Sequence, residues 1–242
     1  MTRQYSALAD ADVEQLLNVI ADKSTPPQTY QATMTQLGQR LGSAMLAALE
    51  HKHQRAYLVA TVEDADFLSL GVLQQLETQL DSVGFACFWN QRITLFDLNA
   101  LAVAPILKQY QEPTQQVDTL IVVKSIISGG CVVKTNLQNL IQTISPQRIF
   151  IAAPVLYHRA ETALRQVFPP DISQKFEFFY FAVDDERTGQ GEVLPGVGGL
   201  VYDRLGFDGQ EGKNSYTPVV VKQRRQQFLV HQGRSQPTVQ DA

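Results

Sequence analysis

Hydrophobic positions along the chain follow two spacings, and the order of those spacings predicts the architecture. Residues 9–21 and 28–49 place apolar side chains at the spacing of a helix face. Short, mostly apolar runs typical of buried strands then occupy 56–60, 84–89, 120–123, 148–153 and 176–183. Because helical patterns separate these runs, the sequence predicts an α/β fold with a mostly parallel sheet and helices on both faces.

Two segments do not fit this alternation. Residues 90–116 mix Leu, Ala and Pro, which favours a loop carrying a short helix. Residues 216–231 contain two apolar triplets on either side of a basic cluster, and Val219–Val221 has the composition of a strand. This stretch predicts either a hairpin added to the protein's own sheet or a segment that docks on a partner with an acidic surface.

Composition excludes several classes of protein. The chain has 242 residues, 44% hydrophobic and 18% charged, with a net charge of −4, which does not indicate a nucleic-acid or membrane-surface binder. There is no apolar run long enough to span a membrane and no secretory signal pattern. The two cysteines, Cys87 and Cys131, form neither a zinc spacing nor a disulfide framework. We therefore expect a cytoplasmic protein without a metal site.

One turn has the composition of a phosphate-binding loop. Ser128, Gly129, Gly130 and Cys131 stand between a buried strand and a helix, where consecutive backbone amides can cradle an anion. The alternative is an ordinary strand-to-helix turn that uses glycine for its backbone freedom. The residues alone leave both interpretations open.

Three motifs, in unbroken order over roughly residues 13–210, resemble the uracil phosphoribosyltransferases. They are Asp22–Pro26 before a helix, the segment from Leu120 to Cys131, and Gly191–Arg204 with its Pro-Gly-x-Gly core at 195–198. The last resembles the uracil-binding hood of that family. The resemblance implies that residues 1–210 form a type I phosphoribosyltransferase fold that ends in a hood. Residues 211–242 then form a basic extension.

The resemblance also implies a set of binding residues. It assigns the phosphates of the phosphoribosyl donor to Ser128, Gly129, Gly130 and Cys131, and the nucleobase to backbone groups of Val193 and Gly198. It implies Mg²⁺ only together with a bound donor, and a homodimer, because members of the family tend to be dimeric.

Several charged side chains of the family are replaced. Val123 stands where the family has an acid that holds the ribose hydroxyls, and Glu63 stands where it has an arginine that helps bind pyrophosphate. Two like charges about 4 Å apart cost about 4 kcal/mol at an effective dielectric near 20, so an acidic turn should repel pyrophosphate. We expect Glu63, Asp64 and Asp66 to be solvated acids at a helix start. In the hood, Glu192 replaces a tyrosine and Gly199 an aspartate.

These departures predict a protein that has lost phosphoribosyl transfer to uracil and acts as a ligand-binding, regulatory or assembly protein, with no catalytic residue assigned. The alternative is an active enzyme forming UMP or another nucleotide, in which Arg92, Lys124 or Lys134 supplies the missing positive charge. For a protein partner, the exposed charges expected to steer association are Arg224 and Arg225.

Overall fold

A computed structural model describes residues 3–49, 54–94, 102–113, 116–189 and 191–231 of the chain. The strands are β1 Arg3–Tyr5, β2 Arg55–Thr61, β3 Ser82–Asn90, β4 Ile93–Thr94, β5 Ala102–Val103, β6 Ile106–Gln111, β7 Thr119–Val123, β8 Ile126–Ile127, β9 Arg148–Tyr157, β10 Phe176–Asp184, β11 Glu186–Arg187 and β12 Val193–Leu194. The helices are α1 Ala11–Ala21, α2 Pro27–Ala48, α3 Leu70–Leu76, α4 Cys131–Leu140, α5 Ala160–Gln166, α6 Pro170–Ser173, α7 Val201–Arg204, α8 Gly209–Ser215 and α9 Val219–His231. A π-helical turn, Ala65–Ser69, precedes α3.

The central sheet confirms the predicted fold class. Its strand order is β1-β10-β9-β7-β2-β3-β6, and β8 pairs with β9. The inner five strands run parallel to one another, while the edge strands β1 and β6 are antiparallel to their neighbours. In chain order the parallel strands are arranged 2-1-3-4-5, so the order reverses between β2 and β7. In open α/β sheets, ligands bind beyond the carboxyl ends of the strands at such a reversal.

Both faces of the sheet are buried, as expected when crossover helices cover a parallel sheet. Leu58, Phe85 and Ile121 point into one core, which is completed by α1, α2 and α3. Their chain neighbours point into a second core, covered by α4 and α5. This explains why the strands read as continuous apolar runs rather than as alternating ones.

Two predictions for local structure are wrong, and the first is the loop with a short helix over residues 90–116. Residues 102–111 form strands, and β6 is an edge strand whose side chains Leu107, Lys108 and Gln109 are exposed. A strand that faces solvent on one side needs few apolar residues, so its pattern resembles that of a loop. The short helix expected between 90 and 116 does not occur in the described part of that stretch, and residues 95–101 lie outside it.

The hairpin predicted at the C-terminus is also wrong, for a different reason. Val219–Val221 is the first turn of helix α9, not a strand of a hairpin. Val220 and Val221 are buried against the main core, which accounts for the apolar triplet. Among the described helices, none is both long enough and apolar enough to cross a membrane.

Candidate functional site

Three loops meet at the carboxyl ends of β2 and β7. Lys124, just after β7, reaches the turn that follows β2. The hydroxyl of Ser128 donates a hydrogen bond to the carbonyl oxygen of Gly191 at 3.2 Å, which joins the loop after β7 to the hood. Because parallel strands end at one edge of a sheet, the sequence predicts that loops 61–66, 124–131 and 192–199 converge there. These contacts confirm it, and in the third loop a Cβ at Gly196 would lie 3.3 Å from Cδ1 of Ile126.

A buried ion cluster occupies the point where the strand order reverses. The Lys124 ammonium lies 2.6 Å from Asp64 Oδ2 and 3.1 Å from Glu63 Oε1. The side chain of Asp64 is fully buried, and those of Lys124 and Glu63 are 11% exposed. Burial disfavours the charged ammonium, but the two carboxylates outweigh it and raise the pKa of Lys124 above its ordinary value.

The prediction that the acids after β2 are solvated is wrong. Burial favours protonation of Glu63, yet the charges of Lys124 and then Lys213 outweigh burial and lower the pKa of that carboxyl. Asp64 also accepts a hydrogen bond from Thr61 Oγ1 at 2.8 Å. These acids are neutralised from within the protein instead of presenting negative charge to solvent.

Lys213 on α8 adds a second buried cation. Its ammonium donates a hydrogen bond of 2.6 Å to the carbonyl oxygen of Asn90 at the end of β3 and lies 4.0 Å from Glu63 Oε2. Burial lowers the pKa of Lys213, an effect that the charge of Glu63 opposes. Among the described residues, Glu63 Oε2 and Asp64 Oδ1 remain buried without a hydrogen-bond donor.

Asp66 does not belong to this cluster. It accepts hydrogen bonds from the Tyr216 hydroxyl at 2.5 Å and from the amides of Val219 and Val220 at 2.8 and 2.9 Å. The acid therefore caps the N-terminus of α9, more than 150 residues away in sequence.

The candidate phosphate loop has the expected place in the fold. Gly130 is the N-cap of α4 with φ +72°, and Cys131 is its first residue. Gly129 is exposed, whereas Ser128, Gly130 and Cys131 are half-buried. The first amides of a helix have no acceptor within it, so this turn presents backbone donors beside the hood. Phosphate binding here stays a prediction.

The candidate nucleobase groups are packed inside the protein. Val193 and Gly198 are both buried. Gly198 has φ +75°, and a Cβ atom there would lie 2.4 Å from the carbonyl oxygen of Ile20 in α1. The neighbouring Val197 carbonyl accepts a hydrogen bond from Tyr30 at 3.1 Å. The hood thus rests on α1 and α2, and its contact with a base stays a prediction.

The N-terminal strand holds the hood from the other side. Asp184 is fully buried, and Arg3 donates to both of its carboxylate oxygens at 2.8 Å. The amide of Gly196 donates to Asp184 Oδ2, and the Gly196 carbonyl accepts a bond from Arg3. A single carboxylate thereby fixes β1, the end of β10 and the hood together.

Three basic residues are the expected substitutes for the missing positive charge, and not all of them are free to contact a ligand. Lys124 is committed to Glu63 and Asp64. Arg92 is exposed and close enough to Tyr202 in the hood to lower the pKa of its hydroxyl, although burial and then Asp203 and Glu63 raise it overall. Lys134 is half-buried in the first turn of α4.

The residues at this edge do not fit Mg²⁺ carrying a phosphoribosyl donor. Val123, at the position of the family's acid, is buried in β7. Glu63 and Asp64, the acids after β2, bind Lys124. Across the described chain, no group of three or more His, Cys, Asp or Glu side chains is placed to hold a metal ion.

Sequence reasoning missed three residues of this region. Lys213 lies in the polar stretch GQEGKNS, where nothing distinguishes it from a surface lysine. Asn90 and Asn136 form a buried pair in which each amide donates to the other, at 2.8 and 3.0 Å, linking β3 to α4. The contacts Lys213–Asn90 and Asn90–Asn136 join residues distant in sequence, so no local sequence pattern predicts them.

Comparison with known proteins shows a shared fold. No family model matches the chain, and no curated protein matches it significantly. The AQ2163 protein from Aquifex aeolicus is 16% identical with a TM-score of 0.66, over 84% of this chain and 97% of that one. At that identity the likeness is one of fold.

Two phosphoribosyltransferase structures overlap less. A hypoxanthine-guanine phosphoribosyltransferase from Bacillus anthracis is 11% identical with a TM-score of 0.38, over 66% of this chain and 75% of that chain. The enzyme of the same name from L. donovani is 7% identical with a TM-score of 0.40, over 67% and 82% of the two chains. TM-scores this low support no conclusion about this chain.

Proposed function

We propose that this protein is a phosphoribosyltransferase-like protein of the uracil branch that does not transfer a phosphoribosyl group to uracil. Its role is binding: it acts as a ligand-binding, regulatory or assembly protein. The proposal combines the sequence motifs at Leu120–Cys131 and Gly191–Arg204 with the charges between the loops after β2 and β7. This region, where the strand order reverses, is the crevice in which a sheet of this order is expected to bind ligands.

One observation carries the proposal, namely the Lys124–Asp64–Glu63 cluster. Enzymes of this type position their substrates and stabilise the leaving pyrophosphate with fixed charges. Here the charges at the reversal of strand order are buried and paired with one another. Recruiting Lys124 to a ligand would leave Asp64 buried without its counter-ion and Glu63 with only Lys213, 4.0 Å away, which is costly.

A ligand-binding role relies on groups outside that cluster. The amides at the start of α4 are hydrogen-bond donors that need no charged partner. They suit a phosphate or another oxyanion. Binding through backbone amides also tolerates the side-chain replacements that remove the family's catalytic charges.

The proposal is tested by incubating the purified protein with phosphoribosyl pyrophosphate, Mg²⁺ and uracil, and measuring UMP and pyrophosphate. We expect no UMP above background. UMP formation well above background that disappears in Gly129→Pro, which lacks one loop amide, would contradict the proposal. Gly129→Ala is the matched control, because it keeps the amide and a Cβ there meets nothing within 4 Å.

Calorimetry tests the binding role separately. The titrants are phosphoribosyl pyrophosphate with Mg²⁺, uracil, UMP and GTP. We expect a phosphate-bearing titrant to bind, with weaker binding in Gly129→Pro than in Gly129→Ala. Absence of heat with all four would contradict a ligand-binding role for this loop and would leave assembly with another protein.

The competing function is an active phosphoribosyltransferase with altered substrate contacts. Arg92 favours it, because it is an exposed cation whose charge acts on Tyr202 of the hood. Under that alternative, UMP or another nucleotide would form and Arg92→Met would abolish its formation. If the wild-type protein forms no nucleotide, this alternative fails. If turnover occurs and survives in Arg92→Met, the protein is an enzyme but Arg92 is not its replacement cation.

A further inference from the structure

The C-terminal segment, residues 209–231, lies across the carboxyl ends of β2 and β3. From α8, Lys213 reaches the Asn90 carbonyl at the end of β3 and approaches Glu63 after β2. Just beyond α8, the carbonyl of Tyr216 accepts a hydrogen bond of 2.8 Å from the indole of Trp89. The segment therefore closes one side of the crevice that contains the ion cluster.

One carboxylate anchors the start of α9 within this segment. Asp66 accepts bonds from Tyr216, Val219 and Val220, so it satisfies two first-turn amides of α9 and one side chain together. Negative charge at a helix N-terminus is also favourable for the helix dipole. Asp66 lies in the π-helical turn directly after the loop that carries Glu63 and Asp64. The anchor and the ion cluster are thus built on the same short stretch of chain.

Beyond the first turn of α9, the segment makes few apolar contacts with the rest of the protein. Val220 and Val221 are buried, whereas most of the following side chains of α9 up to Val230 are exposed. Arg224 and Leu229 are half-buried, and Arg224 binds Glu112. On the other side, Gly206 and Gly209 adopt φ of +86° and +58°, and a Cβ at Gly209 would meet nothing within 4 Å. Apart from Val220, Val221 and the partly buried Tyr216, the segment is held by polar contacts, and it begins at a glycine-bounded turn.

We propose that the C-terminal segment is a built-in cover of the crevice that opens as a unit about residues 206–209, with Lys213 as the side chain that plugs it. This inference rests on the proposed function, since it describes how access to the same crevice is controlled. Opening would remove Lys213 from beside Glu63 and expose the two buried carboxylate oxygens that lack donors. Access to the cluster then depends on Asp66, which is not part of it.

The test compares the full-length protein with Asp66→Asn by hydrogen exchange. The cover predicts that amides of 209–231 exchange at least about tenfold faster than those of β9, because they open locally and not with the whole protein. In Asp66→Asn their exchange should accelerate about tenfold further, with β9 unchanged. Asp171→Asn, an exposed acid on α6, is the control and should change neither region.

Trp89 provides a second measurement because it is the only tryptophan in the chain. It is 5% exposed while its indole binds Tyr216. Opening should increase quenching of its fluorescence by acrylamide in Asp66→Asn. Lys213→Met gives the same readouts without touching the anchor, so the test stands if Asp66→Asn does not fold.

The outcomes separate this inference from the proposed function. If 209–231 exchanges only as slowly as β9 in all variants, the segment is a fixed part of the core and the cover is wrong, while the proposed lack of transfer is unaffected. If the segment opens and the UMP assay stays negative, both stand. If it opens and UMP appears, the cover stands and the proposed lack of transfer is wrong.

Discussion

The ammonium of Lys124 and the carboxylate of Asp64 lie 2.6 Å apart where the strand order of the sheet reverses, and Asp64 is fully buried. Both side chains leave the ends of neighbouring parallel strands. In a sheet of this order, that position is where a ligand is expected to bind. The protein has instead filled it with charges of its own that neutralise each other.

Removing the cation should be strongly destabilising. Lys124→Met leaves Glu63 and Asp64 buried and short of a counter-ion, which typically costs about 3–5 kcal/mol of unfolding free energy. Urea denaturation measures this loss. Arg40→Met removes a cation that pairs with Asp10 and Asp12 at the surface, and should cost no more than about 1 kcal/mol. Equal losses of unfolding free energy in the two variants would show that the buried cluster stabilises the protein no more than a surface ion pair does.

The cluster should also make stability depend on acid. Lys124 holds the pKa of Glu63 below its ordinary value of 4.5, so the folded state favours the ionised form. The resulting stabilisation is complete above about pH 4.5 and is lost as the pH falls through the lower pKa of the folded state. The difference in unfolding free energy between wild type and Glu63→Gln should shrink in that range, by up to about 1.4 kcal/mol per pH unit.

Denaturation at a series of pH values from neutral to pH 3 checks this dependence. Asp171→Asn is the control, because its carboxylate is exposed and its difference from wild type should stay nearly constant. A difference for Glu63→Gln that is equally flat would contradict the claim that ionised Glu63 stabilises the fold.

The contact between the hood and α1 should tolerate no side chain. At Gly198, φ is +75° and an added Cβ would approach the Ile20 carbonyl oxygen at 2.4 Å. We expect Gly198→Ala to lower the melting temperature, with a loss of at least about 1–3 kcal/mol from backbone strain alone. Gly129→Ala, where the new methyl group meets nothing within 4 Å, should be within about 0.5 kcal/mol of wild type. Similar melting temperatures for the two variants would refute this packing.

Two adjacent arginines of α9 should behave differently. Arg224 binds Glu112 at 3.0 Å, also contacts Glu77, and lies over the ring of Phe85. Arg225 is exposed. We expect Arg224→Met to cost about 1–3 kcal/mol, as for a hydrogen-bonded charge, and Arg225→Met to be nearly neutral.

Thermal denaturation distinguishes the pair, and co-purification with a partner tests the second role proposed for these residues. Because Arg224 is committed within the protein, steering of an acidic partner falls to Arg225. Loss of a partner in Arg225→Met without loss of stability would support that role, whereas a destabilised Arg225→Met would argue against it.

The parallel strands could be predicted from sequence because burial on both faces makes each of them a continuous apolar run. β6 and α9 could not, since an exposed edge strand and a helix buried only through Val220 and Val221 have no clear period. The convergence of the three loops followed from the direction of parallel strands. The neutralisation of Asp64 did not, because its partner Lys124 is 60 residues away and no local pattern pairs them.

The two edge strands of the central sheet, β1 and β6, limit how copies of this protein can associate. Each outermost strand runs against its neighbour; β1 has only three residues, and β6 exposes Lys108. Short or charged edges of this kind resist pairing with another chain. A continuous intermolecular sheet, and with it growth into filaments through strand pairing, is therefore disfavoured. A stable assembly would have to bury helical layers or loops instead.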